Sequence, residues 1–177
     1  TDIIQKFNNS EIFHIFQYNK RILLYLYEEQ IFRLDQNIME TIPLDKYNAL
    51  SLISYEYFEK SKDIEFNQKC KNGENDGYIC QLIREDSVIE FIQHINRNNI
   101  SLTSTINKSI FETNSLLIKR EPSLIEYSAF YGSIQIFQYL LLNKVEIDET
   151  LWPYVIHGRN AEIIHILEEN KIKPNFN

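Results

Sequence analysis

A near-duplication in the second half of the chain constrains its fold more than any other sequence feature. Residues 123–148 align without a gap on residues 150–175, at an offset of 27. Within each copy, apolar residues recur at three- and four-residue spacing, which predicts two short helices joined by a tight turn. The identical pairs are Leu124/Leu151, Tyr127/Tyr154, Ile136/Ile163, Leu140/Leu167, Asn143/Asn170 and Lys144/Lys171.

Weaker copies extend the pattern toward the N-terminus. Residues 79–102 align on 124–147 at an offset of 45, and 19–31 on 160–172 at an offset of 141, within a possible unit at 10–35. A helix pair of this size cannot bury its apolar face alone, so such self-similarity predicts a stack of pairs. We therefore expect residues 1–177 to form one all-α array.

Two stretches interrupt the helical periodicity. The polar stretch at about 69–77 holds two of the four glycines and is predicted to be a surface loop, with a linker between two halves as the alternative. The stretch at about 101–121 is irregular and ends before Pro122.

The helix boundaries and buried positions follow from the same pattern. The residues predicted at or near N-cap positions are Asn19, Ser87, Ser133 and Asn160. Leu140 and Leu167 are expected to be buried at equivalent positions. In the last helix, Ile163 and Leu167 should face inward, and at least one of Ile164 and Ile166 should be partly exposed.

Composition excludes several function classes. Lys and Arg number 18 against 25 Asp and Glu, a net charge of −7, which argues against a nucleic-acid-binding surface. No apolar stretch approaches the ~20 residues that a membrane-spanning helix needs, so we expect no membrane insertion. The two cysteines, Cys70 and Cys80, and the lack of a signal-peptide pattern favour reduced thiols and a cytoplasmic location.

No catalytic or metal-binding motif is evident, and we expect neither an enzyme nor a cofactor. Glu162 and His165 have the Glu-x-x-His spacing of di-iron helical bundles, but the sequence holds no second copy of that motif. The nucleophile, phosphate-loop and zinc-protease signatures are also missing from the sequence.

The clearest copy, 123–148, resembles an ankyrin repeat. Gly132 corresponds to the family's turn glycine, and Leu140 and Leu141 to its paired leucines. Residues 123–126 stand where the family has its opening Thr-Pro-Leu-His, and residues 145–148 where it has Ala-Asp-Val-Asn. The small residues of the family's inner helix correspond to Ser128 and Ala129. The resemblance covers 123–148 and 150–175 best, with a fair match at 79–102.

The sequence departs from the ankyrin pattern at four positions. Pro153 replaces the family's histidine, Arg159 its turn glycine, and Lys144 and Lys171 its later glycine. Both copies are also shorter than the usual ~33 residues, which implies a solenoid of ankyrin-like helix-turn-helix repeats with trimmed hairpins. This short, glycine-poor style is similar to ankyrin-related proteins expanded in unicellular parasites.

The resemblance implies a protein-interaction scaffold whose partner is another protein. In ankyrin repeats the partner usually lies along a concave face, formed by the ends of the inner helices and the hairpin tips. The alternative is an obligate structural subunit of a larger assembly. The residues that map to the concave face, and that we expect to bind protein, are Glu121, Phe130, Tyr131, Glu149, His157 and Arg159.

Overall fold

The computed structural model describes residues 6–17, 19–41 and 64–174, and this part of the chain is helical. The expectation of an all-α protein is confirmed for these residues, which contain no β-strand and only an isolated bridge between Thr105 and Ser123. None of their helices is long and apolar enough to cross a lipid bilayer.

The chain divides into two compact units, where the sequence led us to expect a single array. Unit 1 comprises residues 1–76 and 108–120, and unit 2 comprises residues 77–107 and 121–177. The segment 108–120 therefore interrupts unit 2 in sequence but belongs to unit 1.

Unit 1 contains the helices α1 (Asn9–Phe16), α2 (Lys20–Glu28), α3 (Gln36–Thr41), α4 (Ile64–Asn72) and α7 (Ser115–Lys119). α1 and α2 contact each other within the possible repeat unit at 10–35. Asn19 caps α2, since its side chain accepts a hydrogen bond from the backbone of Ile22. The buried core of unit 1 includes Ile12, Leu23, Leu26, Phe32, Ile38, Cys70 and Phe111.

The segment 108–120 is fixed to unit 1 by apolar and polar contacts. Phe111 is buried, and its ring packs edge-on against that of Phe66, with centroids 5.3 Å apart. The ammonium group of Lys20, itself buried, donates to the carbonyl of Ile110. Beyond it, the backbone of Thr113 donates to the carbonyl of Gly73 at 3.0 Å. The irregular stretch predicted at 101–121 thus supplies part of a core.

The loop predicted at about 69–77 is shorter than expected. Residues 69–72 form the last turn of α4, which ends at Asn72. Lys69 forms ion pairs there with Glu65 at 3.0 Å and with Asp76 at 3.4 Å. The polar character of residues 69–72 therefore reflects an exposed helix face. Only residues 73–77 connect α4 to the next helix.

The described residues of unit 2, 77–107 and 121–174, form three helix pairs. The first pair is α5 (Tyr78–Arg84) and α6 (Val88–Asn98), and the second is α8 (Leu124–Tyr131) and α9 (Ile134–Leu142). The third pair is α10 (Trp152–Gly158), preceded by a 3₁₀ turn at Glu149–Leu151, and α11 (Ala161–Glu169). Contacts between first helices run α5–α8–α10, and contacts between second helices run α6–α9–α11.

A left-handed residue follows the second helix of every pair. The next residue is apolar, and its N–H bonds to the carbonyl five residues back, as Val145 does to Leu140 at 3.1 Å. This closure satisfies orphan carbonyls at the helix end and folds the apolar side chain back toward the helix. α2 in unit 1 ends in the same way. The left-handed residues and their φ angles are Gln30 (58°), Asn99 (50°), Lys144 (65°) and Lys171 (59°).

The turns inside the pairs repeat as well. Asp86, Gly132 and Arg159 stand between the two helices of their pairs, with φ angles of 49°, 68° and 52°. At the following residue, Asn160 caps α11 through Glu162, as predicted. Ser87 and Ser133 occupy N-cap positions, but their hydroxyls make no capping bond.

Hydrogen bonds connect the second pair to its neighbours. The Ser133 hydroxyl donates to the carbonyl of Ile83 at 2.5 Å, and the Asn160 amide donates to the carbonyl of Gly132 at 2.9 Å. The Asp86 carboxylate accepts from the backbone of Gln135 and Ile136, both at 3.0 Å. The N-terminus of α9 is therefore capped by a residue of the preceding pair.

The expected burial of the last helix is confirmed. Ile163 and Leu167 are fully buried, whereas Ile164 and Ile166 are both partly exposed. Leu140, equivalent to Leu167, is also fully buried.

We predict that Leu140→Ala lowers the free energy of unfolding by about 2–5 kcal/mol, because the substitution leaves a cavity in the core of unit 2. Leu142→Ala provides a matched control on the same helix, since the Leu142 side chain is 83% exposed and should cost under ~0.5 kcal/mol. Urea unfolding followed by circular dichroism measures both values. Equal losses for the two variants would contradict the packing.

Lys144→Gly should raise the free energy of unfolding by up to about 1 kcal/mol, because glycine adopts a left-handed φ without the strain a side chain causes. Glu146→Gly is the control. Glu146 is also exposed but has no left-handed backbone, so there glycine should only increase the entropy of the unfolded chain and destabilise. Effects of the same sign in the two variants would refute this explanation.

Candidate functional site

The C-terminal ends of the first helices in unit 2 carry a connected set of aromatic and basic side chains. We call this set the helix-end row, and it comprises Arg84 at the end of α5, Tyr127, Phe130 and Tyr131 on α8, and His157 on α10. Arg84 and Tyr131 are partly exposed and His157 is exposed. The row therefore presents the rings of Tyr131 and His157 and the guanidinium group of Arg84 to solvent.

At one end, Arg84 lies against two tyrosines of the neighbouring helix. Its Nη1 donates to the hydroxyl of Tyr127 at 3.2 Å, and its guanidinium carbon is 5.9 Å from the centroid of the Tyr131 ring. The two tyrosine rings are 4.9 Å apart. A hydrogen bond and a cation–π contact thus place the guanidinium against both tyrosines.

Burial raises the pKa of Tyr127 far above its ordinary value, and the nearby Cys80 and Tyr131 raise this pKa further. The phenol therefore stays neutral under physiological conditions, although the Arg84 cation beside it acts in the opposite direction. Tyr127 serves as a fixed, uncharged acceptor for Arg84.

At the other end, the row continues by ring stacking. Phe130 meets Tyr131 edge-on at 4.9 Å and stacks on His157, with ring centroids 3.7 Å apart and planes inclined by 12°. The imidazole Nδ1 also lies 3.4 Å from the Phe130 carbonyl oxygen. His157 is thus held against α8 through both its ring face and its ring nitrogen.

The close approach of α10 to α8 makes this stacking possible. A Cβ added to Gly158 would lie 2.1 Å from the carbonyl oxygen of Ala129 and 3.1 Å from that of Phe130. Only glycine allows the two backbones to come this close. Gly158 is adjacent to His157, so the contact sets the position of the imidazole relative to Phe130.

The predicted binding residues occupy different environments. The expectation for Phe130 is corrected, because its side chain is only 4% exposed and contacts the Tyr131 and His157 rings instead of facing a partner. Tyr131 is partly exposed, and His157 and Arg159 are exposed. Glu121 and Glu149 are exposed too, but they precede α8 and α10 and therefore lie at the opposite end of these helices from the row.

Two members of the row, Arg84 and Tyr127, are missing from the sequence-based set. Arg84 aligns with Ala129 at the offset of 45 used for the first copy, which hides its equivalence to Phe130. The left-handed turns Asp86 and Gly132 show that this part of the first pair aligns at an offset of 46. With that shift, Arg84, Phe130 and His157 are equivalent residues of successive pairs.

The remaining chemistry of the described residues lies away from the row or in the interior. No group of three or more His, Cys, Asp or Glu side chains in the described part of the chain is arranged to hold a metal ion. Cys70 and Cys80 are buried free thiols, and burial together with the Glu28 charge raises the pKa of Cys70 to about 11. Such a thiol carries little thiolate at neutral pH and is a poor nucleophile.

Comparison with known proteins adds no relative. No protein-family model matches the chain, and neither a curated protein nor a solved structure matches it.

Gly158→Ala should reduce the free energy of unfolding by at least 1–3 kcal/mol, the usual scale for overpacking. Alanine favours helices, so the substitution would stabilise a freely exposed helix. The added Cβ instead meets the backbone of α8 and forces the two helices apart. Chemical denaturation measures the loss.

Ile156→Ala on the same helix is the control for this substitution. Its side chain is exposed, so its effect should stay within about 0.5 kcal/mol. A Gly158→Ala variant as stable as the parent chain would exclude the close approach of α8 and α10.

Proposed function

We propose that this chain is a protein-interaction scaffold of the ankyrin-repeat type, without catalytic activity, and that it binds its partner protein through the helix-end row. The observation that carries the proposal is the geometry of the row. The Tyr131 ring and the Arg84 guanidinium are partly exposed and the His157 ring is exposed, and each contacts neighbouring side chains. Rigid aromatic and arginine side chains are the groups that most often dominate protein–protein binding energy.

The repeated backbone of unit 2 supports an ankyrin-like array. Its three pairs contact one another first helix to first helix and second helix to second helix, as a solenoid requires. The residues that replace the family's glycines, Arg159, Lys144 and Lys171, adopt the left-handed conformation that glycine favours. Gly132 itself does so at φ 68°.

The hairpins between repeats differ in the two connections. Residues 143–148 join the second pair to the third, which agrees with a trimmed hairpin. Between the first and second pairs, however, the backbone of Ile106 donates to Pro122 and that of Leu124 to Ser104. These bonds close a small hairpin base, and the segment 108–120 extends from it.

The burial of both thiols agrees with the cytoplasmic location that we include in the proposal. Free cysteines persist in reducing compartments.

Affinity capture with Tyr131 and Tyr25 variants tests the proposal. The full chain, Tyr131→Ala and Tyr25→Ala are immobilised and exposed to proteins of the source cells, and mass spectrometry identifies what each retains. Tyr25 is 57% exposed and lies on α2 in unit 1, so it controls for the loss of an exposed ring. A specific partner should be retained by the parent and by Tyr25→Ala but lost from Tyr131→Ala.

Calorimetric titration of that purified partner then gives the dissociation constant. We expect Tyr131→Ala to raise it at least tenfold, which is the weakening typical of a residue at the centre of an interface. Tyr131→Phe keeps the ring contacts and should bind nearly as tightly. Equal affinity of the parent and Tyr131→Ala for every retained protein would exclude the row as the binding site.

A second candidate, an obligate structural subunit, is favoured by the large apolar side chains exposed on the helices. In unit 2, Ile89 and Leu142 are 65% and 83% exposed. Large exposed apolar areas are typical of surfaces covered in permanent assemblies. Size-exclusion chromatography of the isolated chain separates the two functions. A reversible binder should elute as one species at all concentrations, and an obligate subunit should self-associate.

A further inference from the structure

The third helix pair of unit 2 carries apolar residues at positions that are buried in the second pair. Three of its residues align, at the repeat offset of 27, on buried residues of the second pair. In the third pair the Ile156 side chain is 52% exposed, and the other two are partly exposed. We call these three residues the third-pair face. They and their buried equivalents are Trp152 (Ile125), Ile156 (Ala129) and Ile164 (Phe137).

Ile156 lies on the side of α10 that faces away from α8. It is two residues from Gly158, whose backbone approaches α8, and two residues correspond to about 200° around a helix. Single exposed apolar side chains are common on protein surfaces. A group of them at positions that the preceding pair buries is instead typical of a contact surface left uncovered.

A further helix pair, stacked as the third pair stacks on the second, does not fit this face. The Ala129 side chain is fully buried, and its carbonyl oxygen lies only 2.1 Å from the position of a Cβ added to Gly158. Ile156 stands at the Ala129 position with a much larger side chain, so the same stacking would overpack it. A molecule that covers the face must therefore dock in another arrangement.

Opposite charges flank the third-pair face along α10. Glu149 lies one turn before Trp152, and Arg159 directly follows the helix. Both charged side chains are exposed, and neither forms an ion pair with another of the described residues. A surface with an acid at one end and a base at the other is complementary to a reversed copy of itself.

Trp152 is oriented before any binding takes place. Its indole N–H donates to the carbonyl of Ile172, which follows α11, at 3.2 Å, and the residue stays partly exposed. Because this hydrogen bond already restricts the ring, less side-chain entropy is lost when another molecule packs on it.

We propose that the third-pair face binds a second copy of this chain, with the two α10 helices antiparallel about a two-fold axis. Ile156 packs on Trp152 of the second copy, and Arg159 pairs with Glu149 of the second copy. Both pairs of residues have their midpoint at position 154, so one axis satisfies both contacts. The symmetry forms each contact twice. The dimer goes beyond the scaffold function, because Tyr131 of the helix-end row takes no part in it.

Sedimentation velocity over a dilution series of the full chain tests the dimer. The parent should form a species with twice the mass of one chain and nothing larger. Ile156→Glu places a carboxylate in the contact and should raise the dimer dissociation constant at least about tenfold. Ile89→Glu is the matched control, because Ile89 is 65% exposed on α6 in the first pair, and it should leave the constant within about twofold.

Charge reversal tests the antiparallel arrangement. Glu149→Arg and Arg159→Glu each bring like charges together and should each weaken the dimer at least about fivefold. In an equimolar mixture of these two variants, every arginine of one chain meets a glutamate of the other, so dimers should form about as tightly as in the parent. This recovery, together with thermal unfolding of each variant, shows that both variants are folded.

A second mixture controls for net charge. Glu90 is exposed on α6, so Glu90→Arg changes the charge of the chain as Glu149→Arg does but lies outside the third-pair face. Mixed with Arg159→Glu, it should give no recovery of the parent affinity. Equal recovery in the two mixtures would mean that net charge alone drives association, and the proposed pairing would be wrong.

The remaining outcomes are equally decisive. A parent chain that stays monomeric at every concentration, or that forms species larger than two copies, contradicts the dimer. Self-association that persists in Ile156→Glu also contradicts it and is the behaviour expected of an obligate subunit. If a monomeric parent captures a partner protein that Ile156→Glu does not, the face belongs to that protein. The scaffold function is judged separately, because Tyr131→Ala should dimerise as the parent does.

Discussion

The left-handed residue at each helix end is the constraint on which the helix pairs of unit 2 depend. This residue ends the helix, and the N–H of the residue after it bonds back to a carbonyl in the last turn. The apolar side chain of that next residue then points toward the core, as Val145 does after Lys144. Glycine would satisfy this constraint most easily, but the chain has only 4 glycines. Most of these positions hold polar or charged residues, each at a cost of about 1 kcal/mol in backbone strain. The packing of the helices must therefore stabilise the fold enough to offset this backbone strain.

Each pair in unit 2 is completed by its neighbour. Asp86 of the first pair caps α9 of the second, Ser133 of the second pair bonds to the carbonyl of Ile83, and Asn160 of the third bonds to that of Gly132. Polar groups at helix ends need such partners, because a buried unpaired N–H or carbonyl costs as much as a lost hydrogen bond. The three pairs are consequently joined to one another by hydrogen bonds at their turns. The sequence shows this only as self-similarity.

Much of unit 2 can be predicted from the sequence because its pairs repeat, and less of unit 1 can. The offset of 27 places Leu140 and Leu167 at equivalent buried positions, and the structure agrees. The segment 108–120 has no counterpart in the repeat, so nothing in its local pattern indicates that Phe111 is buried in unit 1. At the site, Tyr131 and His157 follow from the resemblance to ankyrin repeats. Arg84 does not, since a shift of one residue in a loosely matching copy conceals it.

The three turn residues inside the pairs show how the same backbone requirement yields different side chains. Gly132 has no room for a side chain, because an added Cβ would lie 2.9 Å from the carbonyl oxygen of Gly158 in the next pair. Asp86 has a left-handed backbone despite its side chain, and its carboxylate accepts two hydrogen bonds from the backbone of α9. Arg159 ends α10, since its backbone N–H donates to the carbonyl of Val155 at 3.0 Å, and its side chain is exposed. The same helix end therefore accepts glycine, aspartate or arginine, and only the space and hydrogen bonds around each position differ.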